Sequence, residues 1–137
     1  MSLLEVKHLR IEYPSRHGVM AAVDDLSFSI EKGEILGVVG ESGAGKSTIG
    51  NAVIDLLSPP GSIASGKVYL DGEQISGLKP TEMRAIRGSR IGFIFQDPMT
   101  SLNPLFTVEY QMVETLLANT DLSREQARQK SISLLDA

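Results

Sequence analysis

The sequence of 137 residues contains no cysteine. The chain therefore forms no disulfide, offers no thiolate to zinc or to an iron–sulfur cluster, and has no cysteine nucleophile. Long apolar runs are also absent from its start, MSLLEVKHLRIEYP, where charged side chains interrupt the hydrophobic ones. This segment is neither a signal peptide nor a membrane-spanning helix, so we expect any membrane contact to be made through a partner.

Positive charge is scarce as well, with 13 Lys and Arg residues against 17 Asp and Glu residues and a net charge of −4. Such a chain has no broad positive field to attract a nucleic-acid backbone, so we expect no nucleic-acid partner. The hydrophobic fraction of 42% is typical of a globular core, and the length suits about one domain. Composition thus predicts a folded domain rather than a disordered chain.

Two segments near the N-terminus have the spacing of half-buried strands. Residues 4–13 mix apolar and polar side chains at short intervals, and residues 26–30 alternate apolar side chains with serine. Between them, the sequence PSRHG at residues 14–18 has the proline and glycine of a turn or loop. We therefore predict an antiparallel pair of strands at the start of the chain.

The next region combines short apolar stretches with a helical pattern. Residues 35–39 (ILGVV) predict a buried parallel strand at residues 34–39, and residues 91–95 predict a second buried strand. Between them, apolar residues recur at helical spacing after Gly45, until Pro59-Pro60-Gly61 ends the pattern. The predicted order is strand, glycine-rich loop and helix.

The other predicted elements are a strand and turn at residues 66–72, a short helix at 81–87, and helices at 108–118 and 123–137. Ser123 and Gln126 are spaced as a capping box for the last helix, which reaches the end of the sequence without a stop signal. We therefore expect a part of a longer domain, with further core strands outside it. The sheet edge and apolar helix faces left exposed would favour self-association and poor solubility.

A glycine-rich motif, GESGAGKS, follows the first predicted buried strand and fits the pattern G-x-x-x-x-G-K-[ST]. Without Cβ atoms at Gly43 and Gly45, the backbone can curl so that successive N–H groups point at a phosphate. The dipole and unpaired amides of the following helix favour an anion at the same place. Lys46 can reach the β- and γ-phosphates, Ser47 can ligate Mg²⁺, and the Thr48 hydroxyl is next in line for the α-phosphate. The motif predicts a nucleotide site formed by Gly40, Glu41, Ser42, Gly43, Ala44, Gly45, Lys46, Ser47 and Thr48.

These residues resemble the ATP-binding subunits of ABC transporters, and the resemblance extends over essentially the whole chain. The loop GESGAGKST is close to the family form GxSGSGKST, and Ala44 in place of the second serine should be harmless because a backbone amide makes the contact. Tyr13 matches the position of an upstream aromatic residue that stacks on adenine in the family. Gln96, in FIFQDP, matches the glutamine that senses Mg²⁺ and the γ-phosphate and contacts the transmembrane subunit. Its amide can donate and accept without a pH-dependent charge.

Two longer stretches, AVDDLSFSIEKGEILGVVGESGAGKST and RIGFIFQDPMTSLNPLFTVEYQM, look most like the ATPases of dipeptide and oligopeptide importers and their nickel-uptake relatives. The run QDPMTSLNP is the most telling part of this resemblance. It indicates a subfamily rather than a cargo, because the binding protein and the membrane subunits of such importers choose the cargo.

The resemblance implies an α/β fold, a P-loop nucleoside triphosphate hydrolase core with an N-terminal antiparallel β subdomain, ending before the signature and Walker B regions. It divides the chain into an antiparallel β portion (residues 1–33), a P-loop core that reaches the glutamine loop (34–98) and the start of a helical subdomain (99–137). The implied partners are transmembrane permease subunits and a second ATPase subunit. The implied location is the cytoplasmic face of the cell membrane.

The implied activity is ATP hydrolysis coupled to transport, with ATP and Mg²⁺ as ligands, Lys46 and Gln96 as catalytic residues, and Ser47 and Gln96 at the metal. Three family motifs do not occur in this sequence: the LSGGQ-type signature, the strand that ends in Asp-Glu, and the switch histidine. His8 and His17 both precede the glycine-rich loop, so neither matches the switch histidine. The parent protein is thus predicted to be an ATPase, and these residues to hold nucleotide without a catalytic base.

Two other functions stay open at the level of sequence. One is a nucleotide-binding or interaction module that does not hydrolyse ATP, such as a natural truncation that occupies a transporter partner. The other is an ABC-type ATPase of DNA repair or chromosome maintenance, against which the acidic balance and QDPMTSLNP argue. A P-loop kinase or GTPase fits less well, because neither class accounts for Tyr13 and Gln96 together. ATP and GTP are not distinguished, since a stacking tyrosine does not read the edge of the base.

Overall fold

The computed structural model describes all 137 residues, which form two compact units, Met1–Met83 and Arg84–Ala137. The first unit is built on an antiparallel sheet and the second on a pair of helices. A short helix, α2 (Pro80–Ile86), spans the division between them. No helix in the chain combines the length and the apolar character that crossing a membrane requires.

The sheet of the first unit has four strands, β1 (Leu4–Ser15), β2 (Gly18–Ile30), β3 (Ser62–Leu70) and β4 (Glu73–Gln74), in the order β2-β1-β3-β4. Every neighbouring pair is antiparallel. The predicted N-terminal strand pair is therefore confirmed, with a turn of only two residues because Pro14 and Ser15 still pair with β2. The strand predicted at residues 66–72 begins earlier, and it joins this sheet beside β1.

Paired bulges in β1 and β2 keep the hydrophobic side chains on one face of this sheet. Strict alternation would turn Leu9 away from the side of Val6, but β1 gains one residue on both of its neighbours between these positions. His8 takes up the extra length with φ 49°, and β2 carries the compensating irregularity at Asp25, with φ 51°. As a result Val6, Leu9 and Ile11 are all buried.

The helix α1 (Lys46–Val53) begins directly after the glycine-rich loop. It ends well before the predicted stop at Pro59, because Asp55 adopts a left-handed conformation with φ 55°. The N–H of Leu56 then bonds the carbonyl of Asn51 at 2.8 Å, and the N–H of Asp55 bonds that of Ala52 at 3.2 Å. These are the two hydrogen bonds of a Schellman motif, which closes the helix at Ile54.

The two predicted buried strands, at residues 34–39 and 91–95, are wrong for this structure, which forms a strand at neither place. Ile35, Val39 and Ile94 are instead exposed, at 96%, 94% and 93%. A central parallel strand is held by hydrogen bonds to a neighbour on each side. The sheet here is antiparallel and does not include either segment, so their apolar side chains have no layer in which to be buried.

The second unit is a helical hairpin of α3 (Val108–Asn119) and α4 (Arg124–Leu135), close to the two predicted helices. Thr107 caps α3, and α4 has the predicted capping box of Ser123 and Gln126. Two ion pairs link the helices, Arg124 with Glu114 at 2.7 Å and Arg128 with Glu109 at 3.3 Å. The later residue of α4, Arg128, is paired with the earlier residue of α3, Glu109, so the two helices run antiparallel.

Gly66 is expected to be indispensable for the bulged region of the sheet. It has φ 95°, and a Cβ there would lie 2.5 Å from the carbonyl oxygen of His8. We expect Gly66→Ala to lower the free energy of unfolding by more than about 2 kcal/mol, because it adds a backbone clash to the strain of a positive φ. Urea denaturation followed by circular dichroism measures this change.

Gly72→Ala is the matched control, because Gly72 has φ 80° but no atom within 4 Å of an added Cβ. It should cost only the conformational strain, about 1 kcal/mol. Equal losses in the two variants would show that the contact with His8 contributes nothing.

Candidate phosphate-binding site

The glycine-rich loop has the backbone geometry expected of an anion cradle. Gly43 and Gly45 have φ 83° and 94°, values that residues with a Cβ rarely adopt. Gly45 is also the N-cap of α1, and no side chain caps this helix end. Amides and a dipole at such a helix start favour a ligand with negative charge.

The side chain of Lys46 folds back over the beginning of the same loop. Its ammonium donates to the carbonyl oxygens of Gly40 and Glu41, both at 2.7 Å. An ammonium has three N–H donors, so one is left for a phosphate oxygen while two hold the loop. Lys46 thus stands over the cradle as a fixed charge rather than as a mobile surface lysine.

The cradle rests on the sheet through Gly45. A Cβ at this position would lie 2.9 Å from the carbonyl oxygen of Ala22 and 3.4 Å from the buried side chain of Val23, both on β2. At the other end of the loop, a Cβ on Gly40 would lie 3.2 Å from that of Ala44. Glycine at 45 therefore allows the helix to begin in contact with β2, which fixes the direction in which its amides point.

Ser47 and Thr48 lie in the first turn of α1, with Ser47 exposed and Thr48 half-buried. A hydroxyl is a suitable Mg²⁺ ligand, since this ion prefers oxygen and retains several waters. The structure has no group of three or more His, Asp or Glu side chains that could hold a metal. The hydroxyl of Ser47 is thus chemically suited to Mg²⁺, and the predicted metal contacts of Ser47 and Gln96 stay predictions.

Tyr13 and Gln96, the other two predicted nucleotide contacts, lie outside the glycine-rich loop in the sequence. Tyr13 is half-buried on β1, where it pairs with Met20 across the hairpin. Gln96 belongs to the second unit, where it is exposed just before a single 3-10 turn, Pro98–Thr100. The side chain of Asp97 caps that turn by accepting from the N–H of Met99 at 3.2 Å. Nucleotide contacts by either residue stay predictions.

A residue that sequence reasoning missed, Gln111 of α3, organises the loop after Gln96. Its side-chain oxygen accepts from the N–H of Asn103 at 2.8 Å, and its amide donates to the carbonyls of Asn103 and Phe106 at 3.0 and 3.1 Å. The amide of Gln111 thus pairs with Asn103 as a neighbouring strand would. Four large apolar side chains between Gln96 and α3 are exposed: Met99 in the 3-10 turn, and Leu102, Leu105 and Phe106 in the loop of residues 101–107. In the sequence, the one available signal for this role is a glutamine soon after the Asn-Pro pair. That signal is weak, because the fold decides which backbone groups Gln111 bonds.

Gln111→Met should free the loop of residues 101–107 without unfolding α3, because methionine matches the length of glutamine and lacks its donors and acceptor. We expect hydrogen exchange at the amide of Asn103 to rise by about tenfold or more, since each lost hydrogen bond is worth about 1 kcal/mol. Exchange followed by mass spectrometry or NMR measures it. Gln129→Met is the control, since Gln129 bonds only Glu125 on α4. Unchanged exchange in Gln111→Met would show that other contacts hold the loop.

Known transport proteins are similar to this chain over almost its whole length. The oligopeptide transport ATP-binding protein OppD of Bacillus subtilis (strain 168) is 42% identical over 135 residues, which are 98% of this chain and 38% of that protein. The dipeptide transport ATP-binding protein DppD of Escherichia coli (strain K12) is 37% identical over 136 residues, 99% of this chain and 42% of that protein. The chain spans about two fifths of the length of these curated relatives.

A solved ATP-binding cassette, a dimer in a post-hydrolysis state bound to ADP and Pi, matches the structure with a TM-score of 0.84. The two are 27% identical, over 97% of this chain and 56% of that one. This likeness confirms the predicted fold class, an ATPase cassette with an antiparallel β portion beside the P-loop. The family described as "ABC transporter" matches residues 23–136, most of the sequence. The chain therefore belongs to the ABC transporter family.

Proposed function

We propose that this chain binds the triphosphate of ATP at residues 40–48, within a subunit that hydrolyses ATP to drive import through an ABC transporter. The observation that carries the proposal is the position of Lys46, whose ammonium is bonded to the carbonyls of Gly40 and Glu41 above an uncapped helix start. A positive charge and the N–H groups at the start of α1 thus belong to the same short loop. Only a ligand with concentrated negative charge satisfies both.

Each residue of the site has a distinct part in this proposal. The backbone N–H groups of residues 43–48 surround the β-phosphate, for which the N–H of Ala44 leaves its bond to the carbonyl oxygen of Glu41 at 3.0 Å. Lys46 neutralises charge on the β- and γ-phosphates. Ser47 and Gln96 would hold Mg²⁺, and the bound ion would neutralise phosphate charge. Tyr13 stacks on the adenine ring, and Gln96 responds to the metal and the γ-phosphate. Lys46 and Gln96 are the two catalytic residues of the proposal.

Hydrolysis and transport belong to a larger assembly than this chain. The matched cassette is a dimer, which supports a second ATPase subunit as a partner. The names of the relatives support oligopeptides or dipeptides as cargo. Permease subunits at the cytoplasmic membrane face, and related small solutes such as nickel as cargo, are proposed from the resemblance in sequence. The exposed apolar loop around Leu105 and Phe106 suits a permease contact. In this arrangement residues 1–33 form the antiparallel β portion, 34–98 the P-loop core and 99–137 the start of the helical subdomain.

The relatives do not favour the two alternatives from the sequence, a non-hydrolysing module and a DNA-maintenance ATPase. The net charge of −4 also opposes the second, since DNA binding rests on many phosphate contacts to basic side chains. Retention of the chain on DNA at low salt would revive it.

Lys46→Ala should weaken the binding of Mg²⁺-ATP by more than tenfold, roughly the effect of losing one charge-assisted hydrogen bond together with the support of the loop carbonyls. Titration calorimetry measures the affinity, and phosphate release measures turnover in parallel. Lys67→Ala, an exposed lysine on β3, is the control and should bind as the parent does.

Binding that depends on Lys46 without turnover in either protein fits a site whose catalytic carboxylate lies in other sequence. Turnover that depends on Lys46 would mean that a second copy or an unassigned carboxylate completes the site. Absence of ATP binding in the unaltered chain would refute the proposed site.

A further inference from the structure

The ring of Tyr13 lies against Gly61, so closely that residue 61 has no room for a side chain. A Cβ built on Gly61 would be 2.5 Å from Cε1 and 2.6 Å from Cζ of the tyrosine ring. The optimal separation between two non-bonded carbon atoms is about 3.5 Å or more, so both distances are severe clashes. The place of the phenol ring therefore depends on the absence of a side chain at residue 61.

We infer that Gly61 is a positioning residue for the nucleotide base, acting through Tyr13; this inference rests on the proposed function and assigns a further residue to the same site. With glycine at 61, the ring occupies the space beside β3. With any other residue, the ring has to move away from β3 and out of the place where a base would meet it.

The backbone around Gly61 is fixed, so the ring rather than the glycine would have to move. Gly61 directly precedes β3, whose first residue, Ser62, pairs with Glu12 in register. The N–H of Gly61 bonds the carbonyl of Ser58 at 2.9 Å, and an added Cβ would also lie 3.0 Å from that oxygen. A strand on one side and a turn on the other thus hold residue 61 beside Tyr13.

Tyr13 itself has freedom to move outward, because it lies two residue pairs from the turn of the hairpin, where the neighbouring residues are exposed. It is only half-buried, and its cross-strand partner Met20 is 62% exposed. A ring pushed away from Gly61 would turn toward solvent at little cost to the sheet. A change at residue 61 should therefore alter base binding more than it alters folding.

This role differs from that of the loop in the kind of ligand it affects. Stacking on an aromatic ring requires a base and is indifferent to which base, whereas the loop requires only phosphates. Gly61 should therefore matter equally for ATP and GTP and should not matter for inorganic tripolyphosphate. A purely structural glycine would affect all three ligands alike.

The test compares the binding of ATP, GTP and tripolyphosphate, each with Mg²⁺, to the chain and to Gly61→Ala. We expect Gly61→Ala to weaken ATP and GTP by about tenfold, the usual effect of a lost base–aromatic stack, and to leave tripolyphosphate unchanged. Gly37→Ala is the control, since an added Cβ there meets no atom within 4 Å. In the background of Tyr13→Leu, the change Gly61→Ala should cause no further loss.

Three outcomes separate this inference from the proposed function. Normal binding of ATP by Gly61→Ala overturns the inference and leaves the phosphate site intact. Failure of the unaltered chain to bind any of the three ligands overturns the proposed function instead. If Gly61→Ala loses tripolyphosphate as well, the double variant with Tyr13→Leu decides: recovery of tripolyphosphate binding supports the clash with the ring, and no recovery overturns it.

Discussion

The phosphate loop takes its shape from one close contact, between the start of α1 and the strand β2. Gly45 turns the chain into the helix with φ 94°, and its Cα faces the carbonyl oxygen of Ala22 so closely that a Cβ would come within 2.9 Å. Helix amides are useful to an anion only if they point at one place, and this contact fixes that direction. The bulge at Asp25 shapes the same strand, and the hydrogen bond at 2.7 Å between Asp25 and His8 ties it to the bulge in β1. The strand β2 thus carries both the irregularity at Asp25 and the contact that orients the loop.

Local signals in the sequence predicted the elements whose stability is local. The hairpin of β1 and β2 needs only its two strands and a turn, and the capping box of α4 lies within four consecutive residues. The end of α1 was missed because a left-handed Asp55 leaves no mark in an apolar pattern that continues to Leu57. The strands at residues 34–39 and 91–95 failed for a different reason. Their apolar composition was identified correctly, but a parallel ladder requires neighbours that a local pattern cannot supply.

The candidate site divides in the same way. The residues from Gly40 to Thr48 are contiguous, so a spacing rule identified all of them, and the structure shows them as one loop and one helix turn. Gln111 and Gly61 were not predictable by such a rule, because each acts on a segment that the fold brings to it. Gln111, on α3, holds Asn103 in the preceding loop. Gly61 contacts Tyr13, which lies 48 positions earlier in the sequence. Motifs report the atoms that touch a ligand, whereas the residues that hold those atoms in place appear only in three dimensions.

The net charge of −4 argues against the binding of a nucleic acid but not against the binding of a nucleoside triphosphate, because the two are recognised over different ranges. A nucleic acid is bound by many basic side chains spread along a surface, so the overall balance of charge decides whether a suitable face exists. A triphosphate is small enough for one loop, where Lys46 and the amides of α1 would act on it at contact distance in the proposed function. At physiological ionic strength, repulsion from carboxylates beyond about 8 Å is largely screened, while hydrogen bonds inside the loop are not. An acidic chain can therefore hold a highly charged nucleotide without attracting nucleic acid, because a concentrated local field outweighs a diffuse and screened one.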